Sequence, residues 1–280
     1  MKVKIVKKLE LKDIYFIENF LTENNIESTD NIQEADIIIS LGGDGTILSL
    51  VPLLRIKNIP VFAINYGNVG YMTKVSKENF EYSFLKYLNG EFSIEHRDFL
   101  EIVFRDKIYY ALNEISILKS EMQAHLIEIS VFQKNNLINN YRADGVIVAT
   151  PTGSTAYSLS ANGPIIHPDI RAICITPLAP QTLSARSIIV SPHKELILSA
   201  KSKSGIAGLN IDGNLHYDIL DNLGLSNHKF MVARKKLEAM GLIQSFYIDN
   251  AGVGQFVYKI KEALDFTTFF NTPVLAQLLE

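Results

Sequence analysis

Apolar residues in the first third of the chain switch between two periods, and the switches mark the elements. Lys2 to Val6 reads as a strand, Leu11 to Asn24 as an amphipathic helix, and Ile47 to Leu54 as a short buried helix. The run Ala35-Asp36-Ile37-Ile38-Ile39-Ser40-Leu41 is apolar at consecutive positions, the mark of a strand covered on both faces, and Pro60 to Asn65 is another strand. Lys77 to Asn89 closes the series as a helix that stops at Asn89-Gly90, with apolar Phe80, Phe84, Leu85 and Leu88 at helical spacing and the two aromatics expected in the core. Alternating strands and helices predict an α/β N-terminal domain over residues 1–92, Rossmann-like, with a mostly parallel sheet.

The texture then changes. Phe99 to Phe104, Tyr109 to Leu118, Leu126 to Phe132 and Leu137 to Arg142 are short alternating segments separated by Arg105-Asp106-Lys107 and Lys134-Asn135-Asn136. They read as antiparallel strands joined by tight turns, and the pattern continues through Ile188 to Val190, Glu195 to Ser199 and Gly208 to Ile211, with a turn at Asp212-Gly213. A mainly-β domain is therefore expected over residues 93–250. Lys229 to Gly241 and Gln255 to Leu264 read as helical or mixed, and residues 251–280 are expected to pack back on the α/β domain. With no long linker between the two parts, the cleft between them is the natural ligand site.

The chain's 280 residues, 47% of them hydrophobic, are ample for a core. A net charge of −3 offers no global field to gather nucleic acid or an anionic membrane, so neither partner is expected. The one cysteine, Cys174, lies in an apolar run and reads as a core residue; it favours a reducing compartment, and cytoplasm is the expected location.

Four runs carry the candidate chemistry. Leu41-Gly42-Gly43-Asp44-Gly45-Thr46 places three glycines and a carboxylate between a buried strand and a helix. Amides at a helix start can point at an anion, which makes Gly42, Gly43, Gly45 and Thr46 a candidate phosphate-donor loop. The acid of Asp44 would repel phosphate and so acts on the other substrate. A plainer reading is a turn with an aspartate N-cap. The second run, Arg142 to Pro164, contains Thr150-Pro151-Thr152-Gly153-Ser154-Thr155-Ala156-Tyr157, whose hydroxyls and amides suit a base edge and ribose and whose tyrosine could stack; a capped helix with surface Ser and Thr is the alternative. The third is Asn113-Glu114, two polar residues in a strand-like stretch, expected to face opposite ways. The fourth, Asn65 to Thr73, leaves the carboxyl end of a parallel strand, where open α/β sheets bind ligands.

In their order along the chain the four runs resemble the signature segments of the bacterial NAD kinases. The family's Gly-Gly-Asp-Gly-Thr matches Gly42 to Thr46, its Asn-Glu pair matches Asn113-Glu114, and its Thr-Pro-Thr-Gly-Ser-Thr-Ala-Tyr matches Thr150 to Tyr157 without a substitution. The resemblance spans roughly Ile37 to Asp212. It implies transfer of the terminal phosphoryl group of ATP, or of polyphosphate, to the 2′-hydroxyl of the adenosine ribose of NAD, giving NADP, with Asp44 as general base. It implies Mg²⁺ held largely by the donor phosphates, no metal ligands from the protein, and a homodimer or homotetramer. Asn113, Ser154, Thr155 and Ala156 resemble the residues around the adenine, Glu114 lies near the ribose hydroxyls, and Tyr71 is a stacking partner. Arg142, Asp144, Tyr157, Ser160 and Ala179 resemble the wall of the pyrophosphate and nicotinamide half, and Gly45, Ser158 and Leu159 are counted with the dinucleotide-binding set. Asp212 and Asn214 fall at a late polar contact, and His125 matches a loop residue reaching from a neighbouring subunit.

Tyr71 and Met72 stand where the family has phenylalanine and leucine, Asn162 replaces a glycine, and Gln181 and Ser187 replace a histidine and a proline. The tail after about Asn227 matches the family poorly. Two rivals remain: a lipid kinase of the diacylglycerol or sphingosine type, which shares Gly-Gly-Asp-Gly-Thr but not Thr150 to Tyr157 in this form, and a non-catalytic NAD(P)-binding regulator, against which Asp44 argues. The chain carries no Walker Gly-x-x-x-x-Gly-Lys, no Gly-x-Gly-x-x-Gly and no Gly-x-Ser-x-Gly, and no two of its histidines sit at metal-ligand spacing.

Overall fold

A computed structural model describes the chain except residues 9, 12–13, 68–69, 105–106, 120–124, 203–206, 219–227, 234–242, 251–252 and 261–280. The N-terminal sheet runs Glu27–Ser28, Lys2–Lys7, Ile37–Gly42, Val61–Asn65, Val253–Ile260, Ile243–Asn250, Ser93–Arg97, with Val75–Ser76 also against Val61–Asn65. The strands up to Val75–Ser76 are mutually parallel. The later three join antiparallel, so Ser93–Arg97 and Ile243–Asn250 belong to this sheet and not to the β region.

Both faces of the sheet are covered, which is why its strands are apolar at consecutive positions. Ile37, Ile39, Leu41, Phe62 and Ile64 pack with Ile17, Phe20, Phe80 and Phe84 from the helices Tyr15–Glu23 and Phe80–Leu88. Ile38, Val61 and Ala63 face the other way, onto Ile47, Leu50, Val51 and Leu54. The single helix expected over Ile47 to Leu54 is two, Asp44–Ser49 and Val51–Ile56, because Pro52 lacks an N–H and fits the first turn of a new helix better than the interior of an old one. Phe80 and Phe84 are fully buried as expected, whereas Leu85 and Leu88 are 43% and 39% exposed. The helix turns Phe80, Ser83 and Phe84 to the sheet, leaving those two leucines on its flank.

Two antiparallel six-stranded sheets form the mainly-β region. One is ordered Asn136–Ala143, Ile127–Gln133, Leu196–Lys201, His228–Ala233, Leu100–Phe104, Lys107–Ala111; the other Ile188–Val190, Ile173–Leu178, Gly145–Ala149, Glu114–Lys119, Ala207–Ile211, Asn214–Asp218. Ile102, Phe104, Ile127, Ile129 and Val131 of the first pack with Ile115, Ile117, Val146, Val148 and Ile175 of the second. Each such side chain stabilises the sandwich by about 1.5–3 kcal/mol on burial.

One continuous strand was expected over Tyr109 to Leu118. The chain instead leaves the first sheet after Ala111, bends at Leu112-Asn113, and enters the second sheet at Glu114. The polar pair therefore sits on a corner rather than on two faces of a strand. Leu112 pins that corner, fully buried in the same cluster as Ile47, Leu50 and Val51, so it abuts the helix that begins at Asp44. The tail differs as well: His228–Ala233 and Val253–Ile260 are strands where helical or mixed segments were expected, in keeping with the aromatic and β-branched residues Phe256, Val257 and Tyr258.

Candidate functional site

The strand Ile37–Gly42 ends in a turn made by glycine. A Cβ on Gly42 would lie 3.0 Å from the Thr46 Cβ and closer to its hydroxyl, whereas Gly43 and Gly45 have nothing within 4 Å of that position. Gly42 thus lets the helix Asp44–Ser49 close against the strand, and Gly43 and Gly45 leave bare backbone open beside Asp44.

Asp44 is caught by the fourth run. Oδ2 accepts from the Tyr71 N–H at 2.8 Å. Oδ1 accepts from the Met72 and Thr73 N–H groups and from the Thr73 hydroxyl, each at 3.1 Å. The run is itself stapled by Asn65, whose side-chain oxygen accepts from the Gly67 N–H at 2.7 Å and whose Nδ2 donates to the Thr73 carbonyl at 3.0 Å. Asp44 is not the plain N-cap of the alternative reading: it occupies the first helical position, Gly43 is the cap residue, and no side chain caps the helix.

Across the corner, Asp212 holds the Asn113-Glu114 pair. Its Oδ2 accepts from the Leu112 N–H at 2.7 Å, and its Oδ1 from the N–H groups of Asn113 at 2.8 Å and Glu114 at 3.1 Å. Asp212 has a left-handed backbone (φ 47°), which aspartate tolerates and which swings its carboxylate back over the corner. Through these three bonds Asp212 holds the corner that carries Asn113 and Glu114. Burial, its first cause, raises the Asp212 pKa above the ordinary value against the pull of those three donors. Glu114 is 6% exposed. Burial first and the neighbouring Asp212 charge second push its pKa up to about 7, opposed by one hydrogen bond from the Tyr157 N–H. Its Oε2 is buried without a hydrogen-bond partner.

The hydroxyl-rich run divides by burial. Thr150 donates to the Leu112 carbonyl at 2.6 Å and accepts from the Gly153 N–H at 3.0 Å. Ser154 is fully buried; its hydroxyl donates to the Pro151 carbonyl at 2.6 Å and accepts from the Ile166 N–H at 2.9 Å. Ser158, also fully buried, shares a hydrogen bond with Thr176. Their side chains bond within the protein around the 3₁₀ turn Thr152–Thr155 instead of forming the hydrogen-bonding surface expected of them. Gly153 is essential to the fit, since a Cβ there would lie 2.7 Å from the Asn113 Cα. Thr155 and Ala156 remain partly accessible, and Tyr157, Leu159 and Ser160 face outward.

A cavity of about 560 Å³ opens between the two regions, lined by Tyr71, Met72 and Lys74 on one side and by Thr152, Thr155 and Ile165 on the other. Its floor holds Arg97, 5% exposed and ion-paired with Glu95. Burial lowers the Lys74 pKa and raises that of Glu95. The sequence reading overlooked these charged residues, and Thr73 and Gly70 with them, although the last two lie within a run it singled out.

The other expected residues lie apart. Arg142 lines a separate recess of about 320 Å³ with Pro180, Thr182 and Arg186. Asp144 pairs with Lys119 at 2.6 Å, and Ala179 is exposed just past Ile173–Leu178. Asn214 is exposed and reaches back to the Asp212 carbonyl at 3.5 Å, while His125 is exposed on a loop. Among the described residues no three His, Cys, Asp or Glu side chains converge on a possible metal position.

An α/β layer feeding a glycine turn and a clasped aspartate to the edge of a β sandwich defines a two-part nucleotide-binding enzyme. Sequence models of the ATP-NAD kinase N-terminal domain and C-terminal domain match residues 4–92 and 112–228. The NAD kinase of Fusobacterium nucleatum is 38% identical over 189 residues, 68% of this chain and 71% of that one. That of a Thermoanaerobacter species is 41% identical over 198 residues, 69% and 70% of the two chains. The crystal structure of an NAD kinase from Archaeoglobus fulgidus in complex with ATP superposes with a TM-score of 0.70 at 28% identity, covering 84% of this chain and 91% of that one. Yeast NADH kinase complexed with NADH has the same fold, with a TM-score of 0.71 at 23% identity over 98% and 87%. The chain belongs to the NAD kinase family. A model of the DnaB N-terminal winged helix domain also matches, over residues 210–280, so the tail resembles a different family.

Proposed function

We propose that the protein phosphorylates NAD to NADP, moving the terminal phosphoryl group of ATP or polyphosphate onto the 2′-hydroxyl of the adenosine ribose, with Asp44 as general base. The observation that carries the reading is the placement of Asp44, between bare glycine backbone on one side and, through its bond to Tyr71, the mouth of the interdomain cavity on the other. A carboxylate in reach of the hydroxyl contributes about 10²–10⁴-fold by accepting its proton. The rest of the acceleration is positioning and charge neutralisation. On this reading Gly43, Gly45 and Thr46 flank the donor phosphates, Tyr71 and Thr155 meet the adenosine, and Glu114 meets its ribose. Arg142, Asp144 and Ala179, which lie apart from the cavity, would serve the pyrophosphate and nicotinamide half of the dinucleotide.

Mg²⁺ would neutralise charge on the donor phosphates and be carried by them. The described residues offer no cluster for it, and no residue is assigned to it. We place the enzyme in the cytoplasm as a homodimer or homotetramer, with exposed His125 available to a second copy. No helix among the described residues is long and apolar enough to cross a membrane.

Purified protein given NAD or diacylglycerol, with ATP or polyphosphate and Mg²⁺, tests the reading directly. NADP is the expected product. Phosphatidic acid would instead establish a lipid kinase, and binding of NAD without product would establish a regulator.

A further inference from the structure

We infer that Gly70 and Thr73 are positioning residues for the base, and that the segment they bound commits the Oδ2 atom of Asp44 to the substrate hydroxyl. The inference rests on the kinase reading above. Among the described residues three donors converge on Oδ1, the N–H groups of Met72 and Thr73 and the Thr73 hydroxyl, while Oδ2 receives the Tyr71 N–H alone. A carboxylate oxygen offers about two lone-pair directions, so Oδ1 is saturated and Oδ2 keeps one open. The ribose proton passes to Oδ2 as the ribose oxygen bonds to the terminal phosphorus. The bond from that phosphorus to the donor's bridging oxygen breaks, and its electron pair leaves with the bridging oxygen. Asp44 then returns the proton to solvent as NADP departs.

The donor to Oδ2 comes from Tyr71, a residue 60% exposed that lines the cavity. The residue that would touch the adenosine therefore also orients the reactive oxygen through its own peptide group. Gly70 makes the approach possible. The three nearest atoms that a Cβ on Gly70 would meet all belong to Asp44, with Cγ at 2.6 Å and Oδ2 at 2.8 Å. The methyl that alanine adds at Gly70 therefore acts first on the aspartate side chain. Thr73 is 1% exposed, and valine reproduces its shape while keeping the N–H and removing the hydroxyl donor.

The full chain carrying Gly70→Ala, Thr73→Val or Thr73→Ser is assayed for NADP formation with ATP and Mg²⁺, and for NAD affinity by calorimetry. Gly70→Ala is expected to lower kcat about 100-fold, the penalty for an ångström-scale misplacement, with the NAD Kd changed less than about threefold. Thr73→Val is expected to lower kcat about tenfold through one lost charge-assisted hydrogen bond, and Thr73→Ser to restore most of it. Parental kcat in Gly70→Ala overturns the inference, as does a fall in kcat matched by an equal loss of NAD affinity. If Gly70→Ala does not fold, the threonine pair decides: equal kcat for Val and Ser overturns it. A parent chain that makes no NADP removes the kinase reading and the inference together, whereas an active parent with indifferent variants removes the inference alone.

Discussion

Asp44 and Glu114 are the two acids nearest the proposed chemistry, one from the α/β layer and one from the β sandwich, and the protein surrounds them differently. Asp44 meets four donors, three of them peptide N–H groups from one short segment. Glu114 meets one, is buried, and shares its corner with Asp212. Asp212 intercepts the peptide donors that could have satisfied Glu114, because Leu112, Asn113 and Glu114 all point their N–H groups at it. The same carboxyl group is thus prepared as a fixed acceptor in one place. In the other it is a carboxyl near neutrality, able to donate as well as accept. The wiring of the backbone around each side chain decides which, and that wiring can be cut.

The largest effect is expected at Asp44. Asn at this position keeps an oxygen for the three donors at Oδ1 and turns an NH₂ toward the Tyr71 N–H, losing one hydrogen bond and the proton acceptor. NADP formation should fall about 10²–10⁴-fold, while the NAD Kd moves less than about tenfold. Initial rates with calorimetry measure both quantities. Turnover equal to the parent's would leave the two acids with no division of labour.

Next in size is Asp212→Ala. It strands three buried N–H groups, each worth about 1–3 kcal/mol when unsatisfied, and places alanine in a left-handed backbone. Thermal unfolding should drop by at least about 5 °C, scaled from a loss of a few kcal/mol, and KM for NAD should rise as the Asn113-Glu114 corner loosens. A variant with parental Tm and KM would show that the corner holds its shape without the clamp.

Much of this was legible in advance. The glycine turn and the Asp212-Gly213 turn follow from local chemistry that a sequence carries openly. Consecutive apolar residues at Ile37 to Ile39 announce a strand with two covered faces. What stayed hidden depends on distance along the chain: 99 residues separate Asp212 from the Asn113 amide it holds, and 29 separate Asp44 from Thr73. Ser154 and Ser158 looked like ligand contacts because a hydroxyl reads the same whether it faces a cleft or a carbonyl. The tail was illegible for another reason. Its residues beyond 228 leave the ATP-NAD kinase match and lie within the winged-helix one, so expectations built on the first family had no purchase there.

The smallest effect isolates the charge on Glu114. Its pKa rises in the folded chain from an ordinary 4.5 to about 7, so between those values the folded state binds more protons than the unfolded one. The stability it contributes is therefore present in acid and lost as pH climbs through about 7, where the carboxylate ionises beside Asp212. Glu114→Gln keeps the shape and the acceptor for the Tyr157 N–H but cannot ionise, so the variant should gain on the parent as pH rises, by at most about 1.4 kcal/mol per pH unit inside the window. Denaturant unfolding of both chains at pH 5 and pH 8 reads the difference. A variant-minus-parent stability that is the same at both values would mean that Glu114 carries its charge as readily in the fold as outside it, and the contrast with Asp44 would vanish.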